Sequence, residues 1–163
     1  MHSSICRFLG VIALITVSLQ GLANANAPTG RFVPTGSGST ATVFDTMTQL
    51  TWQREIDATT YYTVAQADTY CAGIGAVLGG TGWRVPTAKE LQTLVDYAGT
   101  TGLLLDPTAF PQSLAPWATE PAYPFWASTP AVYAPNYVWF VDFGRGSVYS
   151  MGRWEALYVR CVR

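Results

Sequence analysis

The apolar positions of the chain begin as one nearly continuous block and later separate into short periodic runs. The block extends from Phe8 to Leu19, follows Arg7 and is followed by the small residues of 23–27. A membrane-spanning helix needs roughly 20 apolar residues, and small residues after a shorter apolar block are typical of a cleavage site. We therefore predict a secretory signal peptide over residues 1–25, with cleavage after residue 27 as a variant. An uncleaved N-terminal anchor is the alternative.

Two later segments carry the spacing of amphipathic helices. Thr63 and Gln66 fit a capping box, and so do Thr87 and Glu90. Apolar residues then recur at i, i+3, i+4 and i+7, so that each helix has one face for a core. The second helix is predicted to continue to Gly99. The apolar faces consist of Ala67, Tyr70, Cys71 and Ile74 in the first helix, and of Leu91, Leu94, Val95 and Ala98 in the second.

Short β-prone runs lie on both sides of these helices. Val43–Phe44 and Leu50–Trp52 suit the two strands of a hairpin. Tyr137–Phe143 is apolar on both faces, which is typical of a central strand, and residues 147–151 suit its hairpin partner after a glycine-rich turn. The last predicted strand is Leu157–Val162, whose alternate residues face opposite sides.

Proline and glycine mark the segments without regular structure. Residues 26–40 are predicted to be an irregular N-terminal segment, and residues 41–163 are predicted to form one domain. Seven of the ten prolines lie in 106–135, interleaved with aromatic residues, which predicts a long ordered loop. The expected fold class is α+β, with two helices packed on a small, mostly antiparallel sheet that carries a long loop insertion.

The histidine and cysteine counts limit the available chemistry. His2, the one histidine, and Cys6 both lie in the predicted leader. The mature chain would then lack Ser-His-Asp and Cys-His catalysis and any histidine-ligated metal, and we predict no metal site and no cofactor. Cys71 and Cys161 remain as an even pair, for which a disulfide is the default after export. A free catalytic thiol is the alternative, but no histidine would activate it.

The numbers and positions of charged residues disfavour one class of binding partner and favour another. Removal of Arg7 with the leader leaves eight basic residues against ten acidic ones, a balance that disfavours nucleic-acid binding. No membrane span is expected after cleavage. The C-terminal part is locally basic, because Arg145, Arg153, Arg160 and Arg163 accompany Glu155 alone. Arginine forks suit sulfate or carboxylate groups, so an anionic surface polymer is one expected partner.

Several motifs resemble one known family. They occur in the order of that family and cover about residues 41–163. The quoted segments are Leu50–Gln53 (LTWQ), Ala67–Cys71 (AxxYC), Gly82–Leu91 (GWRVPTxxEL), Phe125–Thr129 (FWAST), Val141–Val148 (VDFxxGSV) and Val159–Arg163 (VRCVR). This series resembles the Lcl C-terminal domain family, which is named after a collagen-like bacterial adhesin.

The resemblance implies a C-type lectin-like fold and an extracellular binding role. In such folds a cysteine on the first helix pairs with one on the last strand, which agrees with Cys71 and Cys161. Some family members are adhesins for glycosaminoglycan-like polymers. The calcium-binding motifs of calcium-dependent lectins are incomplete here, because Glu120-Pro121-Ala122 lacks the amide oxygen, so no calcium site is expected.

These patterns lead to a hypothesis about the ligand site. We expect an exported, non-enzymatic binding module for carbohydrate or another extracellular polymer, in the periplasm, at the cell surface or in the medium. The candidate ligand-binding residues are Trp126, Arg145, Arg153 and Trp154, because indole faces stack on sugar rings and arginines bind anionic groups. One alternative is a carboxylate-based polysaccharide hydrolase, and another is a structural or protein-interaction domain of the envelope.

Two polar residues allow other interpretations. Asp142, flanked by apolar strand residues, is either a catalytic carboxylate or a carboxylate satisfied by a nearby arginine and backbone donors. Arg84 is either a ligand fork or a scaffold residue that holds the loops. In both cases the structural interpretation is favoured.

Overall fold

A computed structural model of the protein describes residues 27–98, 102–111 and 123–163. The predicted signal peptide over 1–25 and the section 112–122 of the predicted loop insertion lie outside the described residues. The described residues form an α+β arrangement with two small antiparallel sheets. The elements in chain order are β1 (Phe32–Thr35), β2 (Thr42–Asp45), β3 (Leu50–Gln53), α1 (Val64–Gly73), α2 (Gly75–Leu78), α3 (Ala88–Gln92), β4 (Pro124–Pro130), β5 (Tyr137–Asp142) and β6 (Ser147–Gly152).

The first sheet has the order β1-β2-β3, and all its neighbours are antiparallel. The β2–β3 hairpin confirms the predicted pairing, with Val43 opposite Trp52. Strand β1 lies within the stretch 26–40 that was expected to be irregular, and that expectation is wrong for Phe32–Thr35. Pro34 is compatible with this strand because β1 is at the edge of the sheet, where a missing N–H breaks few ladder bonds.

The second sheet has the order β4-β5-β6 and contains the predicted C-terminal hairpin. Strand β4 corrects the prediction of a continuous loop over 106–135, since Pro124–Pro130 forms seven residues of strand. Its two prolines are the first and last residues of the strand, and β4 is an outer strand of this sheet. Proline is tolerated at both kinds of position, whereas in a central strand it would remove a ladder bond.

The helices begin where their capping boxes predict. Thr63 with Gln66 caps α1, and Thr87 with Glu90 caps α3, each with both reciprocal hydrogen bonds. Helix α3, however, ends at Gln92 and does not reach Gly99. The Thr93 hydroxyl donates to the Glu90 carbonyl at 2.7 Å, a side-chain bond that competes with helical propagation. The next backbone bonds tighten to i−3 spacing, so α3 is shorter than its apolar pattern suggests.

Two hydrophobic clusters form the core. The first core cluster includes Val43, Trp52, Leu91, Leu94, Leu105, Phe110, Phe125, Val141, Phe143, Tyr158 and Val162. The second core cluster includes Ala67, Cys71, Ile74, Trp83, Val85, Trp126, Val138, Phe140, Leu157, Val159 and Cys161. The sheet β4-β5-β6 separates them, because alternate residues of its strands belong to different clusters.

The C-terminal segment, residues 157–162, runs between these clusters and confirms the predicted alternation. Leu157, Val159 and Cys161 belong to the second cluster, while Tyr158 and Val162 belong to the first. The segment is joined through isolated bridges and is not one continuous strand of a sheet as predicted, because its bonding partners change along its length.

Backbone hydrogen bonds of the C-terminal segment reach both sheets. The Tyr158 N–H donates to a carbonyl of β4 at 3.1 Å, and the Tyr158 carbonyl accepts from β4 at 3.0 Å. Three residues later, the Cys161 carbonyl accepts from the N–H of Gln53 in β3 at 2.9 Å. Arg84 and Val162 exchange two bonds of 2.9 Å. One extended segment therefore connects the first sheet, the second sheet and the segment before α3.

Arg160 is fully buried within this segment. Its Nη1 donates to the carbonyls of Gln53 and Arg54, both at 2.6 Å, and its guanidinium lies 4.6 Å from the centre of the Phe110 ring. Burial lowers the pKa of Arg160 to about 9, which still leaves the group charged at neutral pH. These bonds compensate for part of the desolvation cost of the buried charge.

The predicted disulfide between Cys71 and Cys161 is present in the structure. It joins α1 to the C-terminal segment inside the second core cluster and closes a sequence separation of 90 residues. The chain-entropy relation gives about 4–5 kcal/mol of stabilisation for a loop of this length, which is an upper value.

The helices of the described residues are all short. None of them combines the length and the hydropathy that a membrane span requires.

The contact between Arg84 and Glu90 gives a testable dependence of stability on pH. Hydrogen bonds from Arg84, and then from Thr87, lower the pKa of Glu90 to about 2. A carboxylate with a lowered folded-state pKa stabilises the protein above its unfolded pKa, and this stabilisation is lost as pH falls towards the folded value. Solvent screens the half-exposed Arg84, so the expected contribution is about 1 kcal/mol.

We expect the free energy of unfolding of Glu90→Gln to be lower than that of the wild type by about 1 kcal/mol at pH 6. The two free energies should converge as pH falls from 5 towards 2. Urea unfolding at pH 6 and pH 3 measures the difference. The glutamine preserves the capping geometry, so a difference that is equal at both pH values would contradict the ionic interpretation.

Candidate functional site

A group of exposed aromatic rings lies at the end of the second sheet where β5 begins and β6 ends. We call Tyr133, Tyr137, Trp139 and Trp154 the aromatic patch. Tyr133 is 66% exposed, Trp154 60% and Tyr137 39%, while Trp139 is partly buried against the first core cluster. Large aromatic side chains bury well in a core, so three of them exposed side by side indicate a surface available for contact.

Strand geometry places these rings on one face. Tyr137 and Trp139 are two residues apart in β5, so their side chains point to the same side of the sheet. Gly152 pairs with Tyr137 in the register of β5 and β6. A Cβ at Gly152 would collide with the Trp154 indole, so the missing side chain lets this ring lie across the strand end.

The rings of the patch contact one another in two pairs. Trp154 and Tyr137 have ring centroids 6.1 Å apart at an interplanar angle of 80°, and Tyr133 and Trp139 are 5.9 Å apart at 74°. The Tyr133 hydroxyl also forms a hydrogen bond with the Ser150 hydroxyl of β6. Edge-to-face contacts fix the ring orientations, so the patch is preorganised to present ring faces to a ligand.

Charged groups border the patch. Arg153 is exposed, and its backbone N–H donates to the Asn136 carbonyl at 3.0 Å, which fixes the turn after β6. The Trp154 indole N–H donates to the Glu155 carboxylate at 3.1 Å. The Glu155 carboxylate is therefore in contact with the patch, and the exposed Arg153 directly precedes Trp154 in the chain.

The four predicted ligand-binding residues do not form one site. Arg153 and Trp154 belong to the rim and the body of the patch. Trp126 lies in the second core cluster with 0% exposure, and its indole N–H donates to the Tyr62 carbonyl at 2.7 Å, so its assignment as a ligand-binding residue is wrong. Arg145 lies in the turn at the opposite end of the β5–β6 hairpin, about 17 Å away along the strands.

Asp142 and Arg84 have structural partners, as the favoured interpretations predict. The Asp142 carboxylate accepts from the N–H groups of Tyr123 and Gly144, both at 2.8 Å, and forms an ion pair with Arg145 at 3.0 Å. Arg84 donates to both carboxylate oxygens of Glu90, at 2.8 and 2.6 Å. Both residues hold loops in place.

A second surface feature is a groove along α1 and α2. Two adjoining cavities of about 670 and 490 Å³ share Thr69 and Tyr70 in their walls. We call their combined lining the α1 groove. One wall is formed by Ala65, Gln66, Thr69, Tyr70, Gly73, Ile74 and Val77, and the other by Ser39, Gln53, Glu55, Ile56, Asp57, Thr60, Tyr61 and Tyr62.

A third cavity, of about 530 Å³, lies between the N-terminal residues and the loops after α3. Asp96 and Asp106 line it. Both carboxylates accept backbone N–H groups, Asp96 from Ala27 and Ala98 and Asp106 from Thr108 and Ala109. These bonds indicate a structural role for the two carboxylates.

Within the described residues, no three histidine, cysteine, aspartate or glutamate side chains are grouped in a way that could hold a metal ion.

A family profile described as the Lcl C-terminal domain matches residues 41–163. The chain belongs to the Lcl C-terminal domain family. A search of the curated proteins found no match to the chain. In this Lcl C-terminal domain, two of the motifs that carry the resemblance lie together in space. Arg84 pairs with Val162, and the Arg163 guanidinium lies 5.5 Å from the centre of the Trp83 ring. The motif residues therefore anchor the C-terminal segment.

None of the four rings of the aromatic patch lies in the segments that carry the family resemblance. Tyr133, Tyr137 and Trp139 were not predicted as site residues. The available signal was the alternation of Tyr137 and Trp139 in a predicted strand, together with the glycine at position 152 opposite them.

Two alanine substitutions test whether Trp126 is a core residue and Trp154 a surface residue. Trp126→Ala should destabilise the protein by about 3–5 kcal/mol because it leaves a cavity in the second core cluster. Trp154→Ala should cost less than about 1 kcal/mol because the ring is mostly exposed. Urea unfolding monitored by circular dichroism measures both. Equal losses would contradict the assignment of Trp126 to the core and Trp154 to the surface.

Proposed function

We propose that this Lcl C-terminal domain is an exported, non-enzymatic binding module that holds a carbohydrate or another extracellular polymer on the aromatic patch. The observation that carries the proposal is the set of three exposed rings on one face of the second sheet. Ring faces of Tyr and Trp contact the apolar C–H faces of sugars, and their polar groups supply hydrogen bonds.

Export belongs to the same proposal. Its support is the N-terminal pattern of a basic residue, an apolar block and small residues, together with the disulfide between Cys71 and Cys161, which is typical of an oxidising compartment. The disulfide between the first helix and the C-terminal segment also supports the C-type lectin-like fold that the family resemblance implies.

Two carboxylates of the described residues are unsuited to act as the general acid of a glycosidase. The Arg84 contact lowers the pKa of Glu90 to about 2, and hydrogen bonds from Thr59 and Thr60 lower that of Asp57 to about 2. A glycosidase needs a carboxylic acid that is still protonated near the working pH, and these two groups are ionised there.

Binding to a panel of immobilised polysaccharides, neutral and anionic, tests the proposal. We expect retention of the wild type and a loss of at least about tenfold in affinity for Tyr137→Ala combined with Trp154→Ala, since each removed ring costs roughly 1 kcal/mol or more. Arg145→Ala is the matched control because Arg145 lies at the far end of the hairpin, and it should bind as the wild type does.

Variation of the salt concentration then identifies the kind of polymer. For an anionic polymer, Arg153→Ala should weaken binding and reduce its salt dependence. Retention on none of the polysaccharides would contradict the carbohydrate proposal. Release of sugar from any of them by the wild type would favour the hydrolase alternative.

A further inference from the structure

The α1 groove has the dimensions of a site for an extended chain. Its helical wall extends from Ala65 to Val77, thirteen residues whose twelve steps span at most about 18 Å at 1.5 Å per residue. An extended peptide covers about 3.3 Å per residue, so about five residues fit along the groove. The two cavities together are also longer than a single sugar ring or amino acid would need.

The groove is lined by aromatic, apolar and acidic side chains. Tyr62 and Tyr70, from its two walls, have ring centroids 4.8 Å apart, and Ile74 and Val77 add apolar surface at the α2 end. Val77 is 51% exposed. Tyrosine rings attract cations through their faces as well as apolar groups.

The charge of the groove is negative. Glu55 and Asp57 line it, and among its described lining residues there is neither lysine nor arginine. Arg54 approaches Glu55 at 3.7 Å, but its Nε and Nη2 donate to the carbonyls of Ala109 and Thr108 outside the groove. The Asp57 carboxylate is held by the hydroxyls of Thr59 and Thr60, each at 2.6 Å, which fixes its charge at the rim.

A polar group also remains available inside the groove. The Tyr70 hydroxyl accepts a hydrogen bond from the buried Gln53 side chain at 2.9 Å. Gln53 in turn accepts from the Cys161 N–H at 3.1 Å, so the C-terminal segment fixes the position of this hydroxyl. The hydroxyl hydrogen of Tyr70 has no acceptor among the described residues, and it can donate to a peptide carbonyl.

We propose that the α1 groove is a second binding site, which takes an extended peptide segment of a partner protein that carries lysine or arginine side chains. The basic side chains contact Glu55, Asp57 and the tyrosine faces, apolar side chains contact Ile74 and Val77, and Tyr70 donates to the peptide backbone. This site shares no residue with the aromatic patch, so it is independent of the proposed polymer binding.

Charge argues against other occupants of the groove. An anionic polysaccharide would meet two carboxylates without a compensating base in the lining. A neutral peptide would gain the apolar and tyrosine contacts but no charge pairing, so its affinity should be lower and insensitive to salt.

Fluorescence anisotropy with two labelled hexapeptides tests the proposal on the disulfide-bonded mature protein. One peptide alternates leucine with lysine, and the other alternates leucine with glutamate. We expect binding of the lysine peptide alone, with an affinity that falls between 50 and 300 mM salt. Equal binding of both peptides, or no binding of the lysine peptide, would overturn the proposal.

Variants of the groove localise the interaction. Glu55→Gln combined with Asp57→Asn should weaken binding of the lysine peptide by about five- to tenfold, because it removes two solvent-exposed ion pairs. Asp68→Asn removes one exposed carboxylate of α1 that does not line the groove, and it should leave the affinity unchanged. An equal effect of Asp68→Asn would show nonspecific charge attraction and overturn the proposal.

Two further variants control for a loss of stability and for binding of the peptide to the aromatic patch. If the double variant unfolds at a lower urea concentration than the wild type, Glu55→Gln alone replaces it, since Glu55 supports no turn. Tyr137→Ala combined with Trp154→Ala should weaken polymer binding by at least about tenfold and leave peptide binding intact. Loss of peptide binding in that variant would place the peptide on the aromatic patch and contradict the assignment to the groove.

Discussion

The C-terminal segment, residues 157–162, is the constraint on which the rest of the described structure depends. Its odd-numbered residues pack into the second core cluster, and its even-numbered residues contact the first. Its backbone bonds to β3, to β4 and to Arg84, and its cysteine is linked to α1. The two three-stranded sheets share no strand, and this segment forms backbone hydrogen bonds with a strand of each.

Both candidate binding surfaces are positioned by this segment. The face of β5 opposite the aromatic patch carries Val138 and Phe140, which pack with Leu157 and Val159 in the second core cluster. At the α1 groove, the Gln53 side chain accepts a hydrogen bond from the Cys161 N–H and donates one to the Tyr70 hydroxyl. A rigid support under each surface reduces the entropy that a ligand would have to remove, which favours binding.

Local signals in the sequence predicted local structure well. The Thr-x-x-Gln/Glu boxes located the starts of α1 and α3, and the alternation in 157–162 predicted which residues face which side. The burial of Trp126 could not be predicted from such local signals, because it depends on packing between β4, Tyr62 and the C-terminal segment. The aromatic patch was missed for the same reason, since only the register of β5 with β6 brings Tyr137, Gly152 and Trp154 together.

Proline density was the least reliable signal for the fold. It predicted a loop through 106–135, yet Pro124 and Pro130 are tolerated at the two ends of an outer strand. In β1, Pro34 is tolerated because that strand is an edge. Position within a sheet therefore decides whether a proline breaks a strand, and one sequence alone does not reveal which strand will be at an edge.

Native-state hydrogen exchange measures the role of the C-terminal segment most directly. If the segment unites the two sheets, the amides of Tyr158 and Val162 exchange only through global unfolding, and protected amides in β2–β3 and in β5–β6 have the same opening free energy as these two. The contrary result would be a clearly lower opening free energy for one sheet than for the other. The amides of the segment would then share the opening free energy of only one sheet. The two sheets would then unfold independently, and the segment would not unite them.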